Sequence, residues 1–499
     1  MKILGLGDNV FDVYQNLNIS YPGGNAVNVA VNATQLGIES AYLGYIADDC
    51  YGYYLKSILK SLNIDITHCH YLNNTSTKQC IQDVIDGERQ FIKVDLGQCW
   101  TGPIHLLPKD LEYIHTFDVV FTSCNAKLED QLYLLKDISG IVSYDFGEKE
   151  KYRQGTYFQK VIPYVDLVQF SMNHLSIQDI KEKINSYSIH KPILITRGNE
   201  IPLFFTGNEW IEGVKHQIKA KDTMGAGDAY ITAFVYSLVN QGWKKKQPIK
   251  KEWIEKAMND ASLYASNICM QNGAFGKAYP NKELKAVIFD MDGVIVDSEA
   301  HWQYIFESMV QKYGKTLSDA DKREFYGCSL EKEVEILSRY IYLSKEEIMD
   351  LRQKYCEKYP MEYQKYMLEG VKELITYLKS KHIKIAIASS NVLNEIKNMV
   401  NECGLNAMFD CIISGDMFER SKPDPAIYNY AVSLLEIPRE NIYVIEDSEY
   451  GIEAACLAGL DVLAIKNQYY QFDLSAAQLE FSSHKDILEY IKKAIIKED

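Results

Sequence analysis

Two short acidic, glycine-bearing turns, each joined to an apolar element, set the strongest limit on how this chain can fold. Asp222-Thr223-Met224-Gly225-Ala226-Gly227-Asp228 runs straight into Ala229–Leu238, an apolar helical pattern. Asp290-Met291-Asp292-Gly293-Val294 follows Ala286–Phe289, a buried-strand pattern. Glycine lets the first turn fold tightly enough for several N–H groups and a helix N-terminus to converge on one anion. The second turn puts a carboxylate at the carboxyl end of a strand, where parallel sheets gather functional groups. At 499 residues the chain exceeds one ordinary core, so the two turns are expected in separate domains. Asn272-Gly273, Gly276, Pro280 and Asn281 punctuate the stretch 273–285, which divides the chain into 1–279 and 283–499.

Both parts alternate short apolar runs with helical patterns, the mark of α/β domains. In the first, Ile3–Leu6, Ala41–Ile46, Val119–Thr122, Ile141–Tyr144, Leu167–Phe170 and Ile193–Thr196 read as strands, and Ala26–Leu36 and Tyr51–Leu62 as helices. Gln79–Val84 and Arg89–Val94 flank Asp86-Gly87, a hairpin signal that interrupts this rhythm and suits a flap over a ligand. In the second, strands resume at Ile383 after a helical stretch over about 301–367, which reads as an insert between the first two strands.

A net charge of −15 argues against a nucleic-acid partner, since polyanion binding needs clustered cations. The run Lys244-Lys245-Lys246 with Lys250-Lys251 reads as a solvated surface. Eleven cysteines lack paired metal spacing, and His68-Cys69-His70 supplies two ligands at most, too few for zinc. Reduced thiols in a large acidic chain point to a cytoplasmic setting. No stretch reaches a membrane span, and the apolar run at Ile3–Leu6 is too short for a signal peptide.

The turn at 222–228 suits a transferring phosphoryl group, whose charge needs placed donors more than covalent help. Asp228 would sit in the first helical turn and accept the proton of an attacking hydroxyl. Pro22-Gly23-Gly24-Asn25-Ala26-Val27-Asn28 opens another helix, with Asn25 and Asn28 one turn apart and able to present amides to one ligand. Asp12 follows the first strand. Singly these residues read as caps or turns; together with the anion cradle they make a polyol site.

These motifs, with Gly7-Asp8-Asn9 and Gly273-Ala274-Phe275, resemble the ribokinase-like (PfkB) carbohydrate kinases over about 1–279, and within them the branch acting on ketosamines of the fructoselysine type. The resemblance implies a ribokinase-like α/β sandwich with a small β lid, and ATP with Mg²⁺. It implies Asp228 as general base and Gly225, Ala226 and Gly227 as anion hole. Asp12, Gly24, Asn25, Asn28 and, from the lid, Arg89 would hold the sugar, and Thr196 and Gly198 would lie beside the nucleotide. The family's Asn-x-x-Glu after a central strand is replaced by Phe170-Ser171-Met172-Asn173-His174. Either Ser171 and His174 fill those places or the motif is absent.

In the second part three strand patterns end in Asp290, Ser389 and Glu446-Asp447, and Lys422-Pro423 lies on a loop that can bring in a cation. Asp290 can attack phosphorus, Asp292 can protonate the leaving oxygen, and Ser389 and Lys422 can bind phosphate oxygens. Crowded carboxylates at Asp290, Asp292, Glu446 and Asp447 call for Mg²⁺, with Asp290 and Asp447 as direct ligands. These four elements, in this order, resemble the haloacid dehalogenase superfamily over about 283–499, which implies a Rossmann-like core with a helical cap. Asp297-Ser298-Glu299 is similar to the branch of beta-phosphoglucomutase and sugar phosphatases. The mutase pattern places a histidine where Trp302 stands, with His301 one residue early, which favours a phosphatase.

The expected whole is a bifunctional enzyme acting on a sugar or ketosamine and on a sugar phosphate, possessing no nucleic-acid or membrane partner. Because the two sites have opposed chemistry, the second is expected to take a different ester from the one the first makes. The alternatives are a kinase for a free hexose, pentose or nucleoside with a mutase-type partner domain, and a sugar-binding sensor fused to a phosphatase. Family analogy also implies a homodimer through the lid.

Overall fold

The computed structural model describes residues 1–85, 88–187, 189–216, 218–279, 283–325, 330–467 and 472–495. The chain divides into two compact units, Met1–Asn281 and Lys282–Asp499. The first is built on an eight-stranded sheet ordered Trp210–Glu212, Leu203–Phe205, Ile193–Thr196, Leu167–Ser171, Ile141–Asp145, Val119–Ser123, Lys2–Leu6, Glu39–Leu43. The six strands from Ile193–Thr196 to Glu39–Leu43 are parallel, and the first two add on antiparallel. Alternate residues enter two cores: Leu4, Val120, Val142 and Val168 on one face, Ile3, Val119, Ile141 and Leu167 on the other. Burial on both faces explains why these strands read as continuous apolar runs.

Helix Asn25–Gln35 lies so close to strand Lys2–Leu6 that a Cβ on Gly5 would stand 2.0 Å from the Ala26 carbonyl oxygen. That contact seats the amino end of the helix over the carboxyl ends of the strands. The expected strand Ala41–Ile46 is divided at Gly44: Glu39–Leu43 joins the large sheet, and Tyr45–Ala47 pairs with His70–Leu72. A Cβ at Gly44 would meet the Tyr42 hydroxyl at 2.1 Å and the Gly7 carbonyl at 2.3 Å, so the chain changes sheets there. His68 and His70 both turn onto buried Asp110, at 3.2 and 2.9 Å, and tie this segment to helix Pro108–Ile114.

A separate four-stranded sheet follows the order Ile19–Gly23, Val10–Tyr14, Gln79–Ile85, Glu88–Asp95. The hairpin strands match the sequence expectation, while Asp86-Gly87 lies outside the described residues. The other two strands were not legible: polar Gln15-Asn16 and Pro22 interrupt their short alternation. Asp12, which follows the first strand as expected, lies within strand Val10–Tyr14 of this sheet.

The second unit has a six-stranded parallel sheet ordered Cys411–Ser414, Lys384–Ser389, Ala286–Phe289, Ile442–Glu446, Asp461–Ile465, Leu479–Phe481. Between Ala286–Phe289 and Lys384–Ser389 the chain makes helices Ser298–Gln311, Asp319–Glu324, Leu330–Ser338, Lys345–Lys358 and Tyr363–Tyr366. The longer ones share a core of their own around Ile305, Met309, Leu337 and Ile348. Among the described residues no helix is long and apolar enough to cross a membrane.

Gly5→Ala is expected to destabilise the first unit by about 1–3 kcal/mol through backbone overpacking, read as a lower denaturation midpoint. Gly102→Ala, with nothing within 4 Å of the added carbon, is the control expected to leave it unchanged.

Candidate active sites

In the first unit the turn at 222–228 is fixed from below by Asp222, which accepts from Met224 N and Gly273 N, both at 2.9 Å, and from the Tyr14 hydroxyl at 3.2 Å. Gly225 adopts φ +70°, and a Cβ there would meet Ala274 Cβ at 2.7 Å. Helix Ala226–Asn240 starts immediately after, so Asp228 lies in its first turn. The N–H groups of a helix's first turn have no partner within the helix and suit an anion.

Asp228 is 6% exposed. Asn25 Nδ2 donates to its Oδ1 and Asn28 Nδ2 to its Oδ2, each at 2.8 Å. The spacing of Asn25 and Asn28 predicts amides that converge on one partner; in the structure both donate to Asp228. A buried carboxylate needs donors, and these are the nearest. Asn25 is held in turn by Asn125 Nδ2 at 2.8 Å and Ser123 Oγ at 3.3 Å. Burial pushes the Asp228 carboxyl up to about 7, against the pull of the two amides and with help from Asp145 and Asp8. Asn28 Oδ1 is buried without a hydrogen-bond partner and lies 3.7 Å from where a Gly23 Cβ would be; Asp12 Oδ2 lies 3.1 Å from the same point. Gly24, at φ +109°, permits that approach. The side chain of Arg89 lies outside the described residues.

A cleft of about 560 Å³ adjoins this point and is lined by Thr196, Gly198, Ala226 and Gly227 among others. Ser171 lines it too, with its Oγ 3.3 Å from Thr196 Oγ1, whereas His174 does not. Asn173, just before His174, lines the cleft and donates from Nδ2 to Glu148 Oε1 at 2.6 Å. A carboxylate thus reaches this place from the loop after strand Ile141–Asp145, a position no local spacing could reveal.

In the second unit Asp290, Ser389 and Glu446 stand at the carboxyl ends of three neighbouring strands. Lys422 enters between them: its Nζ donates to Asp290 Oδ1 at 2.6 Å, Glu446 Oε1 at 2.7 Å and the Ala388 carbonyl at 3.1 Å. Burial pushes the Asp290 carboxyl well above the carboxylate range; Lys422 opposes this, and Glu446 and Asp292 add to it. Asp290, Glu446 and Asp447 offer oxygens within 4.8 Å of one another, a spacing and charge that fit a divalent cation. Asp292, expected among those ligands, is not in this group. Its Oδ1 accepts from Ser298 Oγ and its Oδ2 from Asn391 Nδ2.

Glu446 also accepts from the Tyr428 hydroxyl at 2.8 Å and from Asp447 N at 3.0 Å. Gly293 and Gly451 make room for this packing, since a Cβ on either would lie under 2 Å from Asp447 or Glu446: 1.9 Å and 1.8 Å. Ser389 is fully buried and accepts from Asn391 N at 3.2 Å. Sequence reasoning missed Asn391, Tyr428 and Asn467, whose Nδ2 lies 3.2 Å from Asp447 Oδ2. Only Asn391, two residues past a strand end, carried a local signal.

The pfkB family carbohydrate kinase model matches residues 18–278, and the haloacid dehalogenase-like hydrolase model matches residues 287–465. The fructosamine kinase FrlD of Bacillus subtilis (strain 168) is 30% identical over 285 residues, 56% of this chain and 95% of that protein. Fructoselysine 6-kinase of Escherichia coli (strain K12) is 28% identical over 238 residues, 47% of this chain and 88% of that protein. The phosphorylated carbohydrates phosphatase of Thermotoga maritima is 31% identical over 180 residues, 36% of this chain and 83% of that protein. With its ribokinase-like sheet and lid followed by a capped Rossmann-like sheet, the chain belongs to the pfkB family of carbohydrate kinases in its first unit and to the haloacid dehalogenase-like hydrolases in its second.

Proposed function

We propose that the first unit transfers the terminal phosphoryl group of ATP to a primary hydroxyl of a ketosamine or related sugar, and that the second hydrolyses a different sugar phosphate through an aspartyl-phosphate. The observation that carries the first half is Asp228, a buried carboxyl poised near neutrality at a helix N-terminus. It accepts the proton of the attacking hydroxyl, while backbone N–H groups of Gly225, Ala226 and Gly227 meet the charge on the phosphoryl oxygens. Asp12, Gly24, Arg89 and the unpartnered Asn28 Oδ1 orient the sugar, and Asn25 orients Asp228. Thr196 and Gly198 bound the nucleotide in the cleft. Glu148 with Asn173 would hold a cation there, which would offset the charge of the nucleotide phosphates. The ketosamine assignment is supported by the likeness to the Bacillus and Escherichia kinases.

In the second unit Lys422 holds Asp290 Oδ1, leaving the other oxygen to attack phosphorus. As the bond from Asp290 to phosphorus forms, the bond to the sugar oxygen breaks and Asp292 gives that oxygen its proton. Asp292 then takes a proton from water, whose oxygen attacks phosphorus and restores the Asp290 carboxylate with release of inorganic phosphate. Ser298 and Asn391 aim Asp292, and Ser389 and Lys422 bind phosphate oxygens. Mg²⁺ held by Asp290 and Asp447, with Glu446 beside them, would offset the charge these carboxylates share with the substrate phosphate. Hydrolysis is favoured over phosphoryl return because His301 is 5% exposed and packs its ring against Tyr366 at 5.6 Å.

The full-length protein, given ATP with fructoselysine, other glycated amino acids and free sugars, is expected to form ADP fastest with a ketosamine. Asp228→Asn should lower ADP formation by about 10²–10⁴-fold and leave release of phosphate from sugar phosphates intact; Asp290→Asn should do the reverse. ADP formation by Asp228→Asn within a few-fold of wild type would contradict the first assignment. Chelation should abolish phosphate release from sugar phosphates and Mg²⁺ should restore it; activity that survives chelation would remove the cation from the account.

A further inference from the structure

The proposed mechanism leaves one buried ion pair of the first unit without a task. Asp8, after strand Lys2–Leu6, is 1% exposed, and Lys78, just before strand Gln79–Ile85, approaches its Oδ2 at 2.6 Å. The two side chains retain 2% and 14% of their exposure. Burial works against the Lys78 ammonium, but Asp8 outweighs it, with Cys80 and Asp12 contributing, so the lysine stays charged. The pair borders the polyol site on several sides. A Cβ on Gly24 would lie 2.7 Å from the Asp8 carbonyl oxygen, Lys78 O accepts from Phe11 N at 2.9 Å, and Asp12 is paired in register with Cys80.

Unmet polar atoms in a buried place are costly, and this pair keeps one. Asp8 Oδ1 is buried with no hydrogen-bond partner, and an ammonium carries three donors, of which Asp8 takes one. Asp8 Oδ1 can accept and the ammonium it is joined to can donate, a pairing that matches a hydroxyl: it donates to the carboxylate and accepts from the ammonium.

We propose that Lys78 and Asp8 form a specificity element of the acceptor site that reads a sugar hydroxyl other than the one phosphorylated. The inference rests on the sugar-kinase reading of this unit and adds the group that selects among acceptors. An acceptor lacking that hydroxyl leaves Asp8 Oδ1 without a donor, which gives far more discrimination than an apolar pocket provides.

The test is steady-state kinetics of the full-length chain with ATP, using fructoselysine and D-fructose with their monodeoxy analogues. Lys78→Met should raise the acceptor KM by about 10- to 100-fold while kcat and the KM for ATP stay within about threefold, and Lys78→Arg should recover part of the loss. One monodeoxy analogue, poor with wild type, should be discriminated less by Lys78→Met. Should Lys78→Met fail to fold by circular dichroism, Asp8→Asn, which keeps the side-chain volume, should show the same KM shift. An unchanged acceptor KM in a folded variant, or an equal loss for every analogue, would overturn the proposal and leave the kinase reading standing. Absence of ADP formation by wild type with every acceptor would overturn both.

Discussion

A carboxylate taken out of water must be met by donors, and in the first unit those of Asp228 come from far away in the chain. Asn25 and Asn28 precede it by 203 and 200 residues. The contact needs the helix Asn25–Gln35 pressed onto strand Lys2–Leu6, which Gly5 permits, and the helix Ala226–Asn240 opened by the Gly225 turn. The parallel sheet, the two helix N-termini and the chemistry of the site therefore meet at one side chain. The two amides pull the carboxyl down and burial pushes it up; burial wins, and the group settles near neutrality.

The second unit solves a similar problem with charge. Asp290 is held by an ammonium, and Lys422 in turn is shared with Glu446, which Tyr428 and the Asp447 backbone complete. The ammonium offsets one carboxylate among several, so the site still carries an excess of negative charge suited to a divalent cation. The amides and the ammonium also differ in how they meet a carboxylate. Two neutral amides meet Asp228, one on each oxygen, whereas the lysine brings a full charge to a single oxygen of Asp290.

Much of this was legible in the sequence, for a definite reason. Strands buried on both faces write themselves as apolar runs, and all six parallel strands of the first sheet carry at least part of that signal. Turn glycines that open helices, and carboxylates that end strands, are local patterns too. What escaped is non-local or short. Val10–Tyr14 and Ile19–Gly23 are too brief and too polar at their junction to show a period of two. Glu148 meets Asn173 from beyond the end of the neighbouring strand, and Lys78 meets Asp8 from 70 residues away, so neither pairing has a spacing to read. Asn25 and Asn28 were found by spacing, but the partner they meet was not, because burial of Asp228 decides it. Asp292 was expected among the cation ligands; its hydrogen bonds to Ser298 and Asn391 were not legible from spacing.

The account stands on Asp228 being a carboxyl poised near pH 7 by burial against two amides. The direct test is the pH dependence of kcat/KM for sugar phosphorylation in wild type and in Asn25→Ala. The base acts deprotonated, so the rate should climb with pH and level off above an apparent pKa of about 7. Removing an amide that favours the charged form should move that limb to higher pH. A rate that ignores pH across this range, or a limb that Asn25→Ala leaves in place, would contradict the claim.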